Sequence, residues 1–402
     1  MIATNGTTRA RAPAITTGIT TGITGSPWRA SITPWGAVEP WDDAPRIDWY
    51  VAADDRWHVP AREPTVRQSR VDGTPVTETR VRVPNGDVVQ RILSVPDGGG
   101  VTVIEVENES PMPVAIAFDR SDVLTERPIA DVPIEGIDLP AGSFVLPLGH
   151  RTTMRIGVAH AHPRSGRLPT GIPSARRVAN GWLTLSGRAS RFVLPDGADG
   201  TALAERVTAL RCEIALGSIP SGADDPVGFA IALSELVRMG EEPAPWLPEL
   251  VEAVESIGPA VGWAADRALD AADRVLAREG ETRARRDLAR IVARRTPSAR
   301  SATVPPDLGA IPWLESRFAE GGVLLPHGFP GAWLGRAFEV HGVPTGSDTA
   351  VSYAIRWHAE RPAILWEQSG RARTLTAPVV APGWATGEST GEALWPPPRT
   401  EA

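Results

Sequence analysis

The tripeptide Arg-Trp-His occurs twice, at Arg56-Trp57-His58 and at Arg356-Trp357-His358. Each copy offers a guanidinium, an indole face and a titratable imidazole. Acids lie close by, Asp54 and Asp55 before the first copy, Glu360 and Glu367 after the second. Two of these carboxyl groups converging across a cleft, one desolvated enough to stay protonated, would perform glycoside chemistry. Strand geometry gives the plainer reading: Arg and His point away from the face that Trp occupies, so Trp packs inward and the other two meet solvent.

Other residue pairs raise narrower chemistry. His160 and His162 share a strand face and could supply two metal ligands, with His58 or His150 as a third, but no spacing fixes that third ligand. Glu105 and Glu107 also share a face, about 6.6 Å apart from the strand rise, which suits an inverting glycosidase. Alternating Val and Glu is equally what a half-exposed antiparallel strand shows, and that reading is preferred. Cys212 sits in a helical stripe, where a buried thiol is expected rather than a nucleophile. The sequence contains no G-x-S-x-G, H-E-x-x-H, G-x-G-x-x-G or EF-hand pattern.

Composition excludes further classes. All 41 basic residues are arginine, against 48 acids in 402 residues, for a net charge of −7. Without lysine there is no internal Schiff base, no Walker A lysine and no kinase-type ATP lysine. The acidic balance argues against a nucleic-acid partner, and one cysteine excludes a disulfide framework. No run approaches the roughly 18 apolar residues of a membrane span, and residues 1–27 lack the apolar region of an export signal. A cytoplasmic protein without membrane partner or cofactor is expected. Tryptophan is the odd abundance, 14 against 7 Phe and 2 Tyr. Indoles make platforms for sugars, yet Trp28, Trp35, Trp41, Trp246 and Trp313 each follow proline, a setting that pins a segment to a core.

The elements that must position these groups are legible in the hydrophobic period. The Thr-Thr-Gly-Ile repeat in residues 1–27 predicts a disordered leader. From 28 to 198, period-two runs at Ile47–Val51, Val76–Val83, Val101–Val106, Val114–Phe118 and Met154–Val158, split by turns such as Pro84-Asn85-Gly86-Asp87, predict an antiparallel sandwich of roughly ten strands without helices. From 199 to 297 the spacing changes to three and four, predicting five short helices as a bundle. Residues 298–395 return to strands, with Val351, Tyr353, Ile355 and Trp357 on one face. So bulky an apolar face must dock on the sandwich or the bundle, with Trp357 buried. Residues 396–402 form a tail. The fold class expected is α+β.

The runs DDRWHVP at 54–60, ETRVRVPNGD at 78–87, EVENESPMPVAIAF at 105–118 and VSYAIRWHAERPAILWE at 351–367 resemble an uncharacterised protein family of high-GC bacteria, a resemblance that implies no catalytic residues. The coarser layout of sandwich, helices and C-terminal β segment resembles glucoamylase-like and disaccharide-phosphorylase-like carbohydrate enzymes. A twelve-helix barrel cannot be built from about 100 residues, so the resemblance implies sugar binding without that catalytic domain. The expectation is a non-catalytic carbohydrate-associated or scaffolding protein. Two alternatives stay open: a glycoside-active enzyme using the acids above, and a structural protein-interaction module. The expected partner is accordingly a glycan or a protein. In the last case the arginines at 283, 285, 286, 290, 294 and 295 would meet an acidic partner. The candidate ligand-binding set is Asp54, Asp55, Arg56, Trp57, His58, Arg356, Trp357, His358, Glu360 and Glu367.

Overall fold

The period-two runs fold as strands because each presents β-branched or aromatic residues to one face. The computed structural model describes residues 18–129, 133–161, 165–195 and 199–398. They form an α+β protein with 27% helix, 29% strand and no barrel. The chain divides into two compact units, 18–183 with 216–218, and 184–215 with 219–398.

The N-terminal unit holds β1 (Ile19–Gly22), β2 (Arg29–Ile32), β3 (Val38–Pro40), β4 (Trp49–Ala52), β5 (Trp57–His58), β6 (Arg67–Arg70), β7 (Thr77–Val83), β8 (Gly86–Val95), β9 (Val101–Asn108), β10 (Val114–Phe118), β11 (Leu124–Thr125), β12 (Phe144–Leu148), β13 (Thr153–Ala159) and β14 (Gly166–Arg167). Three sheets result, β1-β2-β3, β12-β10-β4-β5 and β14-β11-β13-β9-β8-β7-β6. Their pairings are antiparallel apart from β11 with β14. One core joins them: Ile32, Trp49, Val51, Ile116 and Phe118 pack with Val81, Ile92, Ile104, Val106 and Ile156. The opposite face of the large sheet buries Leu93, Val95, Val101 and Val103 under Leu168, Ile172, Ala175 and Ala179. Strands β8 and β9 are thus apolar on both sides, which is why their sequences lose strict alternation. The turn after β7 places Asn85 at φ 61°, a left-handed position that Asn tolerates.

Two expectations for this part are corrected. Within the supposed leader, residues 1–17 lie outside the described residues, but Ile19–Gly22 is a strand paired with β2. Its Thr20 and Thr21 are buried, and the Thr21 hydroxyl bonds Ser94 at 3.0 Å. Threonine is β-branched, so a Thr-rich segment next to an open strand edge has a place to pair. The helix-free stretch to residue 198 also fails, because α1 (Ala175–Ser186) lies in it. The division between units falls inside α1, and residues 191–193 belong to the C-terminal unit.

That unit begins with β15 (Arg191–Val193), then α2 (Asp199–Ala215), α3 (Pro226–Met239), α4 (Leu247–Ile257), α5 (Trp263–Arg278) and α6 (Thr282–Ala293), at the five places where apolar stripes predict helices. In α3 the Asp225 carboxylate accepts from Gly228 N at 2.8 Å, Pro226 opens the first turn, and Gly240 at φ 113° closes the last. A Cβ on Gly228 would meet Asp225 Oδ2 at 2.1 Å, so the cap requires glycine there. Cys212 is fully buried in α2, as its stripe position predicts.

The expected C-terminal β segment opens instead with a helix, α7 (Ala310–Phe318), followed by β16 (Ala319–Glu320), β17 (Val323–Leu324), β18 (Phe338–Pro344), β19 (Ala350–His358), β20 (Arg361–Ser369), β21 (Leu375–Thr376), β22 (Ala385–Thr386) and β23 (Thr390–Leu394). The main sheet runs β15-β18-β19-β20-β23. Val351, Tyr353 and Ile355 are buried. Tyr353 Oη donates to the carbonyl of Phe318, the last residue of α7, at 3.0 Å. Trp357 is a correction: it is half-buried, because it stands at the hairpin end of β19, one residue before the strand's last. Its ring meets Phe329 at 5.6 Å and its Nε1 donates to Arg336 O at 2.9 Å. Trp395 is buried, and residues 395–398 carry no regular element.

Candidate functional site

The buried stripe of α5, Ala265, Ala268, Leu269, Ala272, Val275 and Leu276, fixes which side of the helix faces the core. Arg267, Asp270, Asp273 and Arg274 are therefore aimed along another side, at spacings of three, three and one. They line a cavity of about 370 Å³ with Glu315 and Ser316 of α7, Glu320, the turn Pro344–Ser347 after β18, and Arg373. A second cavity of about 640 Å³ shares Arg274, Pro344, Gly346 and Ser347 with the first. It adds Arg188, Ser234, Arg238, Arg278, Asp348, Thr349 and Ser369. Both lie wholly within the C-terminal unit.

The walls are held by hydrogen bonds that leave little freedom. Thr345 and Thr349 tie the turn through their hydroxyls at 3.1 Å and through Thr345 N to Thr349 O at 3.0 Å. The Arg373 guanidinium donates to Thr345 O, and Gln368 grips the backbone of Arg373 from both sides, each bond 3.0 Å. Arg285 reaches from α6 to Asp273 at 2.8 Å and to Ser347 Oγ at 2.7 Å. Behind the cavities lies a closed ionic network. Arg211 contacts Glu235 at 2.6 Å and Glu315 at 3.0 Å. Arg238 contacts the same two acids at 2.5 Å and 2.8 Å, and Ser190 Oγ donates to Glu315 at 2.8 Å. Burial would push the Glu235 carboxyl up, but Arg238 and Arg211 hold it well below the usual range.

Arg274 stands apart from this saturation. Its Nε donates to Ser234 Oγ at 3.0 Å, and among the described residues no carboxylate lies within 4 Å of it. Burial first, then Arg238, pulls its pKa down against Glu315, Glu235 and Asp270. Arg188, Arg278 and Arg373 likewise have no ion pair among the described residues. Asp270 shows the opposite perturbation. Burial raises its carboxyl, although Arg267 lies at 3.2 Å. The second oxygen-bearing partner of Arg267 is Glu320, also at 3.2 Å. The arrangement can fix an anion at free guanidinium groups and can accept hydrogen bonds from hydroxyls at Asp270 and Glu320.

None of the ten sequence-selected residues lines these cavities. The first tripeptide forms a self-contained ionic cluster on the β4–β5 hairpin. His58 Nε2 lies 3.0 Å from Asp55 and Nδ1 lies 3.2 Å from Glu63, while Arg56 bonds Glu63 at 2.6 and 3.2 Å. Here the plain strand reading is reversed. His58 is 3% exposed and Trp57 half-buried, with Nε1 donating to Glu135 O at 2.9 Å, because the turn at Pro60–Arg62 brings Glu63 back over the imidazole. Asp54 and Asp55 are exposed. In the C-terminal unit Arg356 pairs with Glu339, whereas His358, Glu360 and Glu367 are exposed.

The remaining candidates find structural work. His160 stacks on Trp28 with ring centroids 3.7 Å apart and bonds Thr102 Oγ1 at 2.9 Å. Burial, with Arg29 adding, pushes its pKa down to about 4. His162 lies outside the described residues. His150 Nδ1 contacts Ser110 O at 2.6 Å, and among the described residues no three His, Cys, Asp or Glu gather as metal ligands. Glu105 is not a solvated residue: it is 7% exposed and bonds Arg155 at 2.6 Å, while Glu107 pairs with Arg91 at 2.7 Å. Every tryptophan is at least half-buried, and none lines either cavity.

The signal for α5 was present in sequence as Asp266-Arg267, Asp270 and Asp273-Arg274, charges at helical spacing beside an alanine-rich stripe. What periodicity does not contain is the Thr345–Thr349 turn and Arg373 placed against them. The molecule is thus an α+β protein with a polar, arginine-bearing cleft in its C-terminal unit. No protein-family model matches the chain, and no curated protein resembles it. Among the described residues no helix is long and apolar enough to cross a membrane.

Proposed function

We propose that the protein is a non-catalytic binding protein whose cleft, between α3, α5, α7 and the β18–β19 turn, takes a small anionic ligand. The observation that carries this reading is Arg274, a guanidinium set on the wall common to two cavities without a carboxylate in ion-pair range among the described residues. A confined cation left unpaired by the protein costs desolvation energy that an arriving anion recovers. The cavity volumes suit a small molecule rather than a polymer. The glycoside-enzyme reading receives less support, since Asp54, Asp55, Glu360 and Glu367 are exposed and outside the cleft.

A thermal-shift series with inorganic phosphate, sulfate and citrate tests it. At a hundredfold excess over Kd, binding stabilises the folded state by about 2.7 kcal/mol, a rise of several degrees that Arg274→Gln should abolish. If none of these anions raises the melting temperature of the unaltered chain, the reading is wrong.

A further inference from the structure

Charge is distributed unequally between the two cavities that share Arg274. The larger is lined by Arg188, Arg274 and Arg278, none with an ion pair among the described residues, against Asp348. Arg238 on the same wall is neutralised by Glu235 and Glu315. Three free guanidinium groups facing one carboxylate leave two positive charges, the complement of a phosphate monoester dianion rather than of a monocarboxylate. The hydroxyls of Ser234, Ser347 and Thr349 line the same space as neutral donors.

The smaller cavity has the reverse character. Its only arginine besides Arg274 and Arg373 is Arg267, which Asp270 and Glu320 already hold at 3.2 Å each. Four carboxylates, those of Asp270, Asp273, Glu315 and Glu320, line it against three arginines, and those of Asp270 and Glu320 keep lone pairs that accept hydrogen bonds. Ionised carboxylates accept best from paired hydroxyl donors, as neighbouring hydroxyls of a sugar present them. Neither lining contains an aromatic ring, so the ligand's uncharged part is not a flat base needing a stacking partner.

Resting on the reading of the cleft as an anion-binding site, we propose that its ligand is a sugar phosphate, with the phosphate against Arg188, Arg274 and Arg278 and the sugar hydroxyls over Asp270 and Glu320. Isothermal titration of the full chain with hexose and pentose phosphates, the matching free sugars and inorganic phosphate tests this. The expected result is one or more sugar phosphates binding at least ~30-fold more tightly than phosphate or the free sugar, since a pair of charge-assisted hydrogen bonds is worth well over a tenfold change. Arg274→Gln should weaken phosphate and sugar phosphate alike. Arg278→Gln, at an exposed position, repeats that test should the first variant misfold. Asp270→Asn should weaken the sugar phosphate ~10-fold while leaving phosphate within about twofold. If phosphate binds as tightly as every sugar phosphate, or if Asp270→Asn affects both equally, the sugar assignment is overturned and the anion site stands. If neither phosphate nor any sugar phosphate binds, the anion site falls with it.

Discussion

The charged ladder on the large N-terminal sheet and the cleft of the C-terminal unit are both built from arginine and acid, yet they use them differently. On the sheet, Arg91 bonds Glu78 at 2.8 Å and Glu107 at 2.7 Å, Arg80 reaches Glu78 and Glu109 at 2.8 Å each, and Arg155 covers Glu105. Cross-strand register sets Arg91 opposite both Glu78 and Glu105, and Arg155 opposite Glu105, so each of these charges has a neighbour of opposite sign. In the cleft, four arginines have none among the described residues. Charges paired by register stiffen a surface; charges left over beside a cavity are available to something else.

The largest expected effect lies behind the cleft. Arg211→Met removes one cation from a network whose acids are 1% and 5% exposed, stranding Glu235 and Glu315 with Arg238 alone. Breaking a buried pair on one side costs about 3–5 kcal/mol, readable as a lower urea midpoint. A loss below about 1 kcal/mol would mean that the network is open to water and no more demanding than the sheet ladder.

Trp357→Ala comes next. Half-burial removes part of the penalty of a core tryptophan, so the cost should be about 1–2 kcal/mol rather than the 3–5 of a fully enclosed ring. A loss as great as that of Trp49→Ala, whose ring is 2% exposed, would show that Trp357 is sealed in solution. Smaller again is Arg91→Ala, expected to cost about 1 kcal/mol or less, because Glu78 keeps Arg80 and the face is partly solvated.

How far the sequence foretells this contrast depends on the range of the interaction. Ladder residues such as Glu105 and Glu107 alternate with Ile104 and Val106, so their shared face is legible from a period of two. Their burial is not, since Arg155 arrives from a strand some fifty residues on. The helices α2 to α6 are equally legible because stripe, cap and stop are local. Strand β15 is hidden: its three residues acquire a partner only when β18 lies beside them. The cleft is hidden for the same reason, as Asp270, Glu315, Thr345 and Arg373 come from four separate segments. The repeated Arg-Trp-His drew attention through local conspicuousness, and its two copies fold into unrelated surroundings, an ionic cluster and a hairpin end.

The smallest effect is also the sharpest, because it has opposite signs in the two regions. Glu63 in the N-terminal unit has its carboxyl lowered, first by the hydrogen bond from Arg56, with Arg56 and His58 adding charge against the opposing effect of burial. Its contribution to stability is present above the unfolded value of about 4.3 and is lost as pH falls through the lower folded value. Glu63→Gln should therefore destabilise at pH 7 and differ little from the parent in strong acid. Asp270 is raised by burial, so its folded form holds the proton more tightly than the unfolded chain does. Stability is then lost as pH rises from about 3.9 through the raised folded value, leaving a constant penalty above it. Asp270→Asn should remove that penalty and stabilise at pH 7, by under about 1 kcal/mol since the carboxyl is partly solvated, with the gain vanishing below pH 4. Melting curves from pH 3 to pH 7 for both variants measure the two slopes. If Asp270→Asn destabilises at neutral pH as Glu63→Gln does, Asp270 is one more paired structural charge, and the distinction between saturated ladder and unsaturated cleft does not extend to it.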